Sequence, residues 1–245
     1  MASSPATLAE PADRKLVAPL WHTALFLLLV IGLAARDMRH MGHGPAVPHG
    51  SRLGLYLLTI GFEWAMLAYV WLLGLRPKGV RLRDIVGGAW TRWWEPLRDI
   101  GVALVFWMTV LLVLGTLRFS LGDNQDSLRA IKLVAPQNTR EMIGFLCLTV
   151  TAGFCEEILF RGYLQRQFFA LTGRIEVAVG LQAVVFGLAH TYQGWQGAVT
   201  IAVYGALFGI LAVIRKSLRP GMMQHALQDS LAGIAVRILS KRGFV

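Results

Sequence analysis

Three apolar segments of this 245-residue chain each carry side chains that can transfer protons. These side chains are Glu156 and Glu157 in the first segment, His190 in the second, and His225 and Asp229 in the third. Charged groups are costly in hydrocarbon, so they face the interior of a helix bundle and commonly mark functional sites. Carboxylates and imidazoles can act in acid–base catalysis or as metal ligands. The pattern therefore predicts an enzyme within the bilayer.

The two adjacent glutamates differ in the partners that helical spacing offers them. Glu157 and Arg161 are four residues apart and share a helix face, so a structural ion pair accounts for both. Glu156 points about 100° away around the helix and has no partner at helical spacing. A second carboxylate with its own direction favours catalysis over a purely structural pair.

Each histidine also has a neighbour four residues away. Phe186 can pack beside the imidazole of His190, and Asp229 can orient His225 and fix its tautomer. Either arrangement alone is compatible with a packing or capping role. The presence of such groups on three membrane segments favours a shared site.

The composition is that of a polytopic membrane protein. Hydrophobic residues make up 55% of the chain and the mean hydropathy is +0.54. The net charge of +10 comes from basic residues that flank apolar spans, which predicts attraction to anionic lipid headgroups and no nucleic-acid partner. Cys147 and Cys155 lie eight apart in one span and lack the spacing of a zinc site, so we expect small buried hydrophobes.

The predicted fold class is all-α, with about seven transmembrane helices, each near the length of about 20 residues that crosses a bilayer. The segment at about 76–100 mixes arginines with tryptophans, which predicts an interfacial connector. The loop at 119–140 is polar and has no recognisable motif. The predicted spans are Leu16–Ala35, Leu53–Leu75 (with Glu63 as its single ionisable group), Gly101–Leu117, one from about Met142, two between Val177 and Ile214 separated by a turn at 191–197, and Pro220 to about Leu239.

Two features bear on the first helix and on orientation. The basic residues before the first span are also typical of a signal peptide, but the apolar run is long for one, which favours a retained helix. Seven spans put the N-terminal tail and the loops 76–100, 161–176 and 215–220 on one side, with 14 Lys or Arg against 10 on the other. This bias favours a cytoplasmic N-terminus.

The depth of the candidate residues follows from the rise of about 1.5 Å per residue along a helix. Glu156 lies near the end of its span and His225 near the start of its own, so both are expected at one level, close to the side of the N-terminal tail. His190 fits this level less well, because it lies near the opposite end of its span.

Three ordered motifs resemble those of the CAAX-protease and bacteriocin-processing (CPBP or Abi) family. They are EEILFR at 156–161, FGLAH at 186–190 and HALQD at 225–229. Members of this family are intramembrane endopeptidases related to the Ras-converting CAAX protease. The resemblance makes 140–245 a catalytic core and leaves 1–139 as an N-terminal transmembrane region.

The resemblance implies an all-helical membrane protease whose conical cavity opens to the cytosol, for example in a bacterial inner membrane. It implies that Glu156 is the general base that activates a water for attack on a peptide bond. It also implies that His190 holds or polarises this water and that Glu157, with Arg161, braces the site. The expected partners are the lipid bilayer and a membrane-anchored or lipidated protein or peptide substrate.

The last motif departs from the form that is common in the family. Relatives often have asparagine where this chain has Asp229, and that asparagine donates to the oxyanion together with its histidine. An ionised aspartate only accepts hydrogen bonds and repels an oxyanion. The donor role therefore passes to His225, while Asp229 orients His225 or is itself protonated.

The sequence alone leaves the cofactor and the function class open. Zinc can be bound by two histidines and carboxylates, but the chain has no His-Glu-x-x-His helix and the family is described as metal-independent, which favours no cofactor. A haem protein with His190 and His225 as axial ligands would leave the glutamates unexplained. A proton-coupled transporter, in which buried carboxylates form a relay, and a non-catalytic membrane scaffold are also compatible with these residues.

Overall fold

The structure, a computed structural model, describes residues 15–39, 51–122 and 125–242, and within them it is helical without strands. The predicted all-α membrane fold is confirmed. A π-helical segment follows α2 at Val70–Leu75, and a second follows α6 at Glu157–Leu164. The α-helices are α1 (Leu20–Arg39), α2 (Leu53–Tyr69), α3 (Leu82–Val86), α4 (Glu95–Leu121), α5 (Gln125–Val134), α6 (Thr139–Glu156), α7 (Gln165–Thr172), α8 (Ile175–Leu188), α9 (Gly194–Arg215) and α10 (Arg219–Lys241).

Each of the seven predicted spans coincides with a helix in the described ranges. Five helical stretches there are long and apolar enough to cross a membrane: Leu20–Arg39, Leu53–Lys78, Glu95–Leu117, Thr139–Thr172 and Thr191–Arg215. The other two are α8, which is apolar but has only 14 residues, and α10, which is long but more polar. A less apolar α10 fits its place against α6 and α4 in the bundle.

The segment at 119–140 corrects the sequence-based prediction, because it contains the helix α5 instead of only a polar loop. Ten residues are too few to cross a bilayer, so a search for spans does not find this helix. Ala130, Ile131 and Val134 form an apolar face of this helix that lines a cavity in the bundle.

Helix α1 is tied to the centre of the bundle by buried polar groups. Tyr163 donates a hydrogen bond to Thr23 and lies 2.9 Å from Nδ1 of His22, whose ring is fully buried. The side chain of Gln167 accepts from the backbone of Val17 and exchanges hydrogen bonds with the backbone of Ala18. Cleavage of a signal peptide would leave these buried groups unpaired, which costs stability. These contacts favour a retained helix, which stays a prediction.

The start of α6 is fixed by reciprocal capping. The side chain of Asn138 accepts from the backbone N–H of Glu141, and the carboxylate of Glu141 accepts from the backbone N–H of Gln137. The same carboxylate accepts from the backbone N–H of Arg52 at the start of α2. These bonds anchor the helix that carries the glutamate pair.

The predicted interfacial connector at 76–100 contains α3 and an exposed tryptophan, Trp93, which has 83% of its surface accessible. Its end is joined to the junction of α9 and α10 by Asp99, which is fully buried. Asp99 accepts from the indole of Trp90 and pairs with Arg215 and Arg219. The connector is thus a fixed part of the bundle.

Glycines let the site-bearing helices approach closely. A Cβ at Gly153 of α6 would lie 2.8 Å from the carbonyl oxygen of Met222 and 2.9 Å from the backbone nitrogen of Ala226 on α10. A Cβ at Gly205 of α9 would lie 3.3 Å from Cα of Ala183 on α8. Small residues at such contacts are typical of packed membrane helices.

The contact between α6 and α10 predicts the effect of one added methyl group. Gly153→Ala should lower the free energy of unfolding by about 1–3 kcal/mol, because the new Cβ meets backbone atoms that cannot rotate away. Thermal unfolding of purified protein in detergent measures the change. Gly180→Ala on α8, where a Cβ would meet nothing within 4 Å, is the matched control. Equal unfolding temperatures for both variants would contradict the close packing.

Candidate active site

A cavity of about 290 Å³ lies between α2, α4, α5, α6, α8, α9 and α10. The predicted site residues that line it are Glu156, His190, His225 and Asp229. Glu157 and Arg161 lie behind this wall, each with only 1% of its surface exposed. The helices therefore bring the three sequence motifs together around one space.

The predicted ion pair between Glu157 and Arg161 is present and buried. Nη1 of Arg161 donates to Oε1 of Glu157 at 2.9 Å, and Nη2 donates to the carbonyl oxygen of Gly205 on α9 at 3.3 Å. The guanidinium carbon lies 4.3 Å from the ring centroid of Phe186 and 4.9 Å from that of Phe208. The pair thus joins the π-helical segment to α8 and α9.

His225 lies among three carboxylates. Its Nδ1 is 3.3 Å from Oε1 of Glu157, and its Nε2 is 3.6 Å from oxygens of both Glu156 and Asp229. Ionised carboxylates only accept hydrogen bonds, whereas an imidazolium offers a donor at each ring nitrogen. The arrangement therefore suits a positively charged His225, which can stabilise negative charge that develops in the cavity.

Glu156 differs from its neighbour in having an oxygen without a partner. Oε2 of Glu156 makes no hydrogen bond, and its nearby ring nitrogen on His225 is beyond hydrogen-bond distance at 3.6 Å. The side chain is 18% exposed and lines the cavity, while Oε2 itself is buried. Glu157 instead pairs with both Arg161 and His225. Of the two carboxylates, Glu156 has the unused acceptor capacity.

His190 follows the end of α8, and its tautomer is set by the backbone. Nδ1 lies 2.8 Å from the carbonyl oxygen of Phe186, which can only accept a hydrogen bond, so Nδ1 carries the proton. In the neutral ring Nε2 is then free to accept. The predicted packing of Phe186 against His190 is confirmed, with ring centroids 4.7 Å apart.

Asp229 is near His225, but it does not make the hydrogen bond that the spacing predicts. The distance of 3.6 Å allows an ion pair and exceeds hydrogen-bond length, and the aspartate side chain is 40% exposed. The hydrogen-bonded carboxylate is Glu157, from a different helix. The ring is therefore oriented from α6 and its π-helical extension.

The cavity also contains residues that were not predicted as site residues, including Gln228 inside the HALQD motif. Glu63 of α2 lines the cavity. In the sequence it is only a single ionisable residue within its span, which does not by itself predict a place in the site. Gln228 and Tyr192 line the cavity as well, and the side-chain carbonyl of Gln228 accepts from the indole of Trp107 at 2.7 Å. Amides and tyrosines are common enough in proteins that no sequence pattern selects these two.

The cavity extends beyond the level that the sequence predicts for Glu156 and His225. Glu156 and His225 are predicted to lie near the side of the N-terminal tail, yet the lining continues away from that side. It includes Leu114 near the end of α4, the apolar face of α5, and the turn at Thr191–Gln193. The site is therefore the floor of a cavity that runs to the opposite face.

The same geometry explains how His190 reaches the site. Helix α8 has 14 residues, which is a length of about 21 Å, so it ends below the far face of a bilayer. His190 follows this end and lines the cavity together with Glu156. One cavity can thus be lined by His190 and by Glu156 and His225 at different depths in the bundle, so the three side chains do not need to share one depth.

Residues 138–231 match the family model described as type II CAAX prenyl endopeptidase, Rce1-like. This region is therefore similar to the CAAX-protease family, and it contains all three motifs. The match supports a CAAX-type intramembrane protease in general terms. The comparisons with curated proteins and with solved structures found no match.

The match leaves some expectations as predictions. It begins close to the predicted boundary at residue 140, but it does not test the division into an N-terminal region and a catalytic core. The roles of the individual site residues are likewise outside what it shows. Within the described ranges, no group of three or more His, Cys, Asp or Glu side chains has the arrangement of a metal site.

The buried pair generates a prediction for stability. Arg161→Met should lower the free energy of unfolding by about 3–5 kcal/mol, because it leaves the Glu157 carboxylate without its hydrogen-bonded cation. The double change Arg161→Met with Glu157→Gln should recover most of this loss. Thermal unfolding in detergent measures both.

An exposed pair provides the control. Arg81 and Asp84 also form an ion pair, with side chains 63% and 46% exposed. Arg81→Met should change stability by less than about 1 kcal/mol. If the double variant at Glu157 and Arg161 were as unstable as the single one, charge burial would not explain the effect.

Proposed function

We propose that this protein is an intramembrane endopeptidase that hydrolyses a peptide bond of a membrane-associated or lipidated protein, with a water activated by Glu156. The observation that carries this proposal is the contrast between the adjacent glutamates. Glu157 is buried and paired, whereas the side chain of Glu156 lines the cavity and its buried Oε2 has no hydrogen-bond partner. The family match supports the reaction class.

In the first step, Glu156 accepts a proton from a water in the cavity. The oxygen of that water forms a bond to the scissile carbonyl carbon, and the carbonyl oxygen gains the negative charge. Nε2 of His190 accepts a hydrogen bond from the second O–H of the water, which stays on the water oxygen, because Nδ1 of His190 carries the proton that is donated to the carbonyl of Phe186. The site thereby orients the nucleophile between a base and an acceptor.

His225 stabilises the oxyanion of this tetrahedral intermediate. Its two nitrogens face Glu156, Glu157 and Asp229, which hold the imidazolium form that can donate. In the second step, the protonated Glu156 gives its proton to the amide nitrogen as the C–N bond breaks. The products are a new carboxyl end and a new amine end, and Glu156 returns to its ionised form.

We propose that this chemistry needs no metal cofactor. Side chains of the protein itself supply the three groups that the reaction needs. Glu156 accepts the proton, His190 orients the water, and His225 donates a hydrogen bond to the oxyanion. Glu157 and Arg161 brace the site by holding His225 and each other. Asp229 adds negative charge beside His225 from the more exposed side of the ring.

The apolar helices and the family support an integral membrane protein. We further propose a bacterial inner membrane with the cavity opening to the cytoplasm, as the family resemblance implies. The cavity runs away from the N-terminal tail, so this orientation puts that tail on the periplasmic side. It is the opposite of the cytoplasmic N-terminus that the count of basic residues favours. One of the 14 on the tail side is Arg161, which is buried in the bundle and does not belong in that count.

The general-base role predicts that Glu156→Gln abolishes cleavage while the protein remains folded, because an amide cannot accept a proton from water. Comparison of protein N- and C-termini in cells that express wild type or variant measures this, together with thermal unfolding of each protein. Glu176→Gln, at an exposed position at the start of α8, is the matched control.

Termini that appear with wild type and Glu176→Gln but not with Glu156→Gln would support the base assignment and identify the substrate. Full cleavage by Glu156→Gln would overturn it. A chelator added to membranes that contain the active protein is expected to leave the rate of substrate cleavage unchanged. A loss of cleavage that added zinc restores would overturn the metal-free mechanism.

The orientation predicts the location of the C-terminus. Helix α10 runs from Arg219 past His225 and Asp229 to Lys241, so its end shares the face to which the cavity runs. A green fluorescent protein fused after the last residue should be fluorescent, and an alkaline phosphatase fusion inactive. The reverse pattern would place the cavity on the periplasmic side.

A further inference from the structure

Glu63 is a buried carboxylate that the proposed reaction does not use. It lies on α2 and is the single acidic or basic residue between Leu53 and Leu75. Only 8% of its surface is exposed, and its side chain lines the same cavity as Glu156 and His225. Its Oε2 has no hydrogen-bond partner. A carboxylate with a buried oxygen that has no partner is therefore held at the wall of the cavity.

The described lining of the cavity offers this carboxylate no cation of its own. The lining contains the carboxylates of Glu63, Glu156 and Asp229 and the imidazoles of His190 and His225, but no described Lys or Arg. His225 is held by the other acids, and the guanidinium of the buried ion pair lies behind the wall. The cavity thus has more acidic than basic groups.

An unpaired carboxylate within a membrane protein is costly, and a cation that binds beside it offsets that cost. We propose that Glu63 binds the ammonium or guanidinium group of a Lys or Arg in the substrate segment that occupies the cavity. This proposal rests on the proposed function and names a chemical feature of its substrate. Glu63 is then a specificity determinant and takes no part in proton transfer.

The walls near Glu63 suit a long basic side chain. Phe145, Leu148 and Ala152 of α6 line the cavity together with Thr59, one turn before Glu63 on α2. Lys and Arg pack their methylene stems on apolar surfaces and hold the charged end against a polar partner. A metal ion fits less well, since no cluster of three or more donor side chains in the described ranges is arranged for one.

Binding to a protein that cannot cleave tests this inference separately from catalysis. The full chain carrying Glu156→Gln is placed in phosphatidylcholine nanodiscs, and fluorescence anisotropy measures the Kd of two labelled apolar peptides with capped ends. The peptides differ only in one central residue, lysine in one and norleucine in the other. The lysine peptide should bind at least about tenfold more tightly, as expected for a charge-assisted hydrogen bond.

Two further variants locate the charge that is responsible. Adding Glu63→Gln should bring the ratio of the two Kd values close to one, because the isosteric amide keeps the shape and removes the charge. Adding Glu176→Gln, which removes one negative charge from an exposed position at the other face, should leave the ratio unchanged. Thermal unfolding of each variant confirms that the protein is folded.

Equal binding of the two peptides, or a lysine preference that survives Glu63→Gln, would overturn the inference. A preference lost only with Asp229→Asn would assign the cation to Asp229 and also overturn it. A third outcome separates the two proposals. If the protein in nanodiscs prefers the lysine peptide, but cells show no protein termini that depend on Glu156, the binding site is upheld and the proteolytic function is rejected. The two proposals can therefore fail independently.

Discussion

The rest of the site depends on the ion pair between Glu157 and Arg161. A guanidinium and a carboxylate that are both buried within a membrane bundle have to meet each other, because neither has water as an alternative. Arg161 also donates to the carbonyl oxygen of Gly205 on α9, and Glu157 also contacts His225 on α10, while Nε of Arg161 has no hydrogen-bond partner. One pair therefore fixes the relative positions of helices that are far apart in the sequence.

Glycine makes this arrangement possible. The carbonyl oxygen of Gly205 accepts from both Arg161 and the side chain of Gln182 on α8. A Cβ at this position would lie 3.0 Å from the ring of Phe186, so the three helices meet only because α9 has no side chain there. The Gly205-x-x-x-Gly209 pattern thus serves the ion pair as well as helix packing.

The sequence was sufficient to predict the helices and the residues that meet, because both follow from local rules. Apolar length predicts spans, and four-residue spacing predicted the contacts of Glu157 with Arg161 and of Phe186 with His190. It was insufficient where the outcome depends on distant segments. The hydrogen bond to His225 comes from Glu157 instead of Asp229, and Glu63 joins the cavity only through the packing of α2 on α6. The direction of the cavity required α5, which spacing alone did not reveal.

The shortness of α8 has a consequence for the membrane around the protein. With a length of about 21 Å against a hydrocarbon thickness of about 30 Å, α8 creates a hydrophobic mismatch on the side where Leu181 and Val184 face outward. A bilayer can adapt to such a helix by thinning beside it, and the exposed Trp195 after its end is suited to anchor a lowered interface. We expect this thinning to bring headgroups and water toward the level of His190, where the proposed hydrolysis needs water.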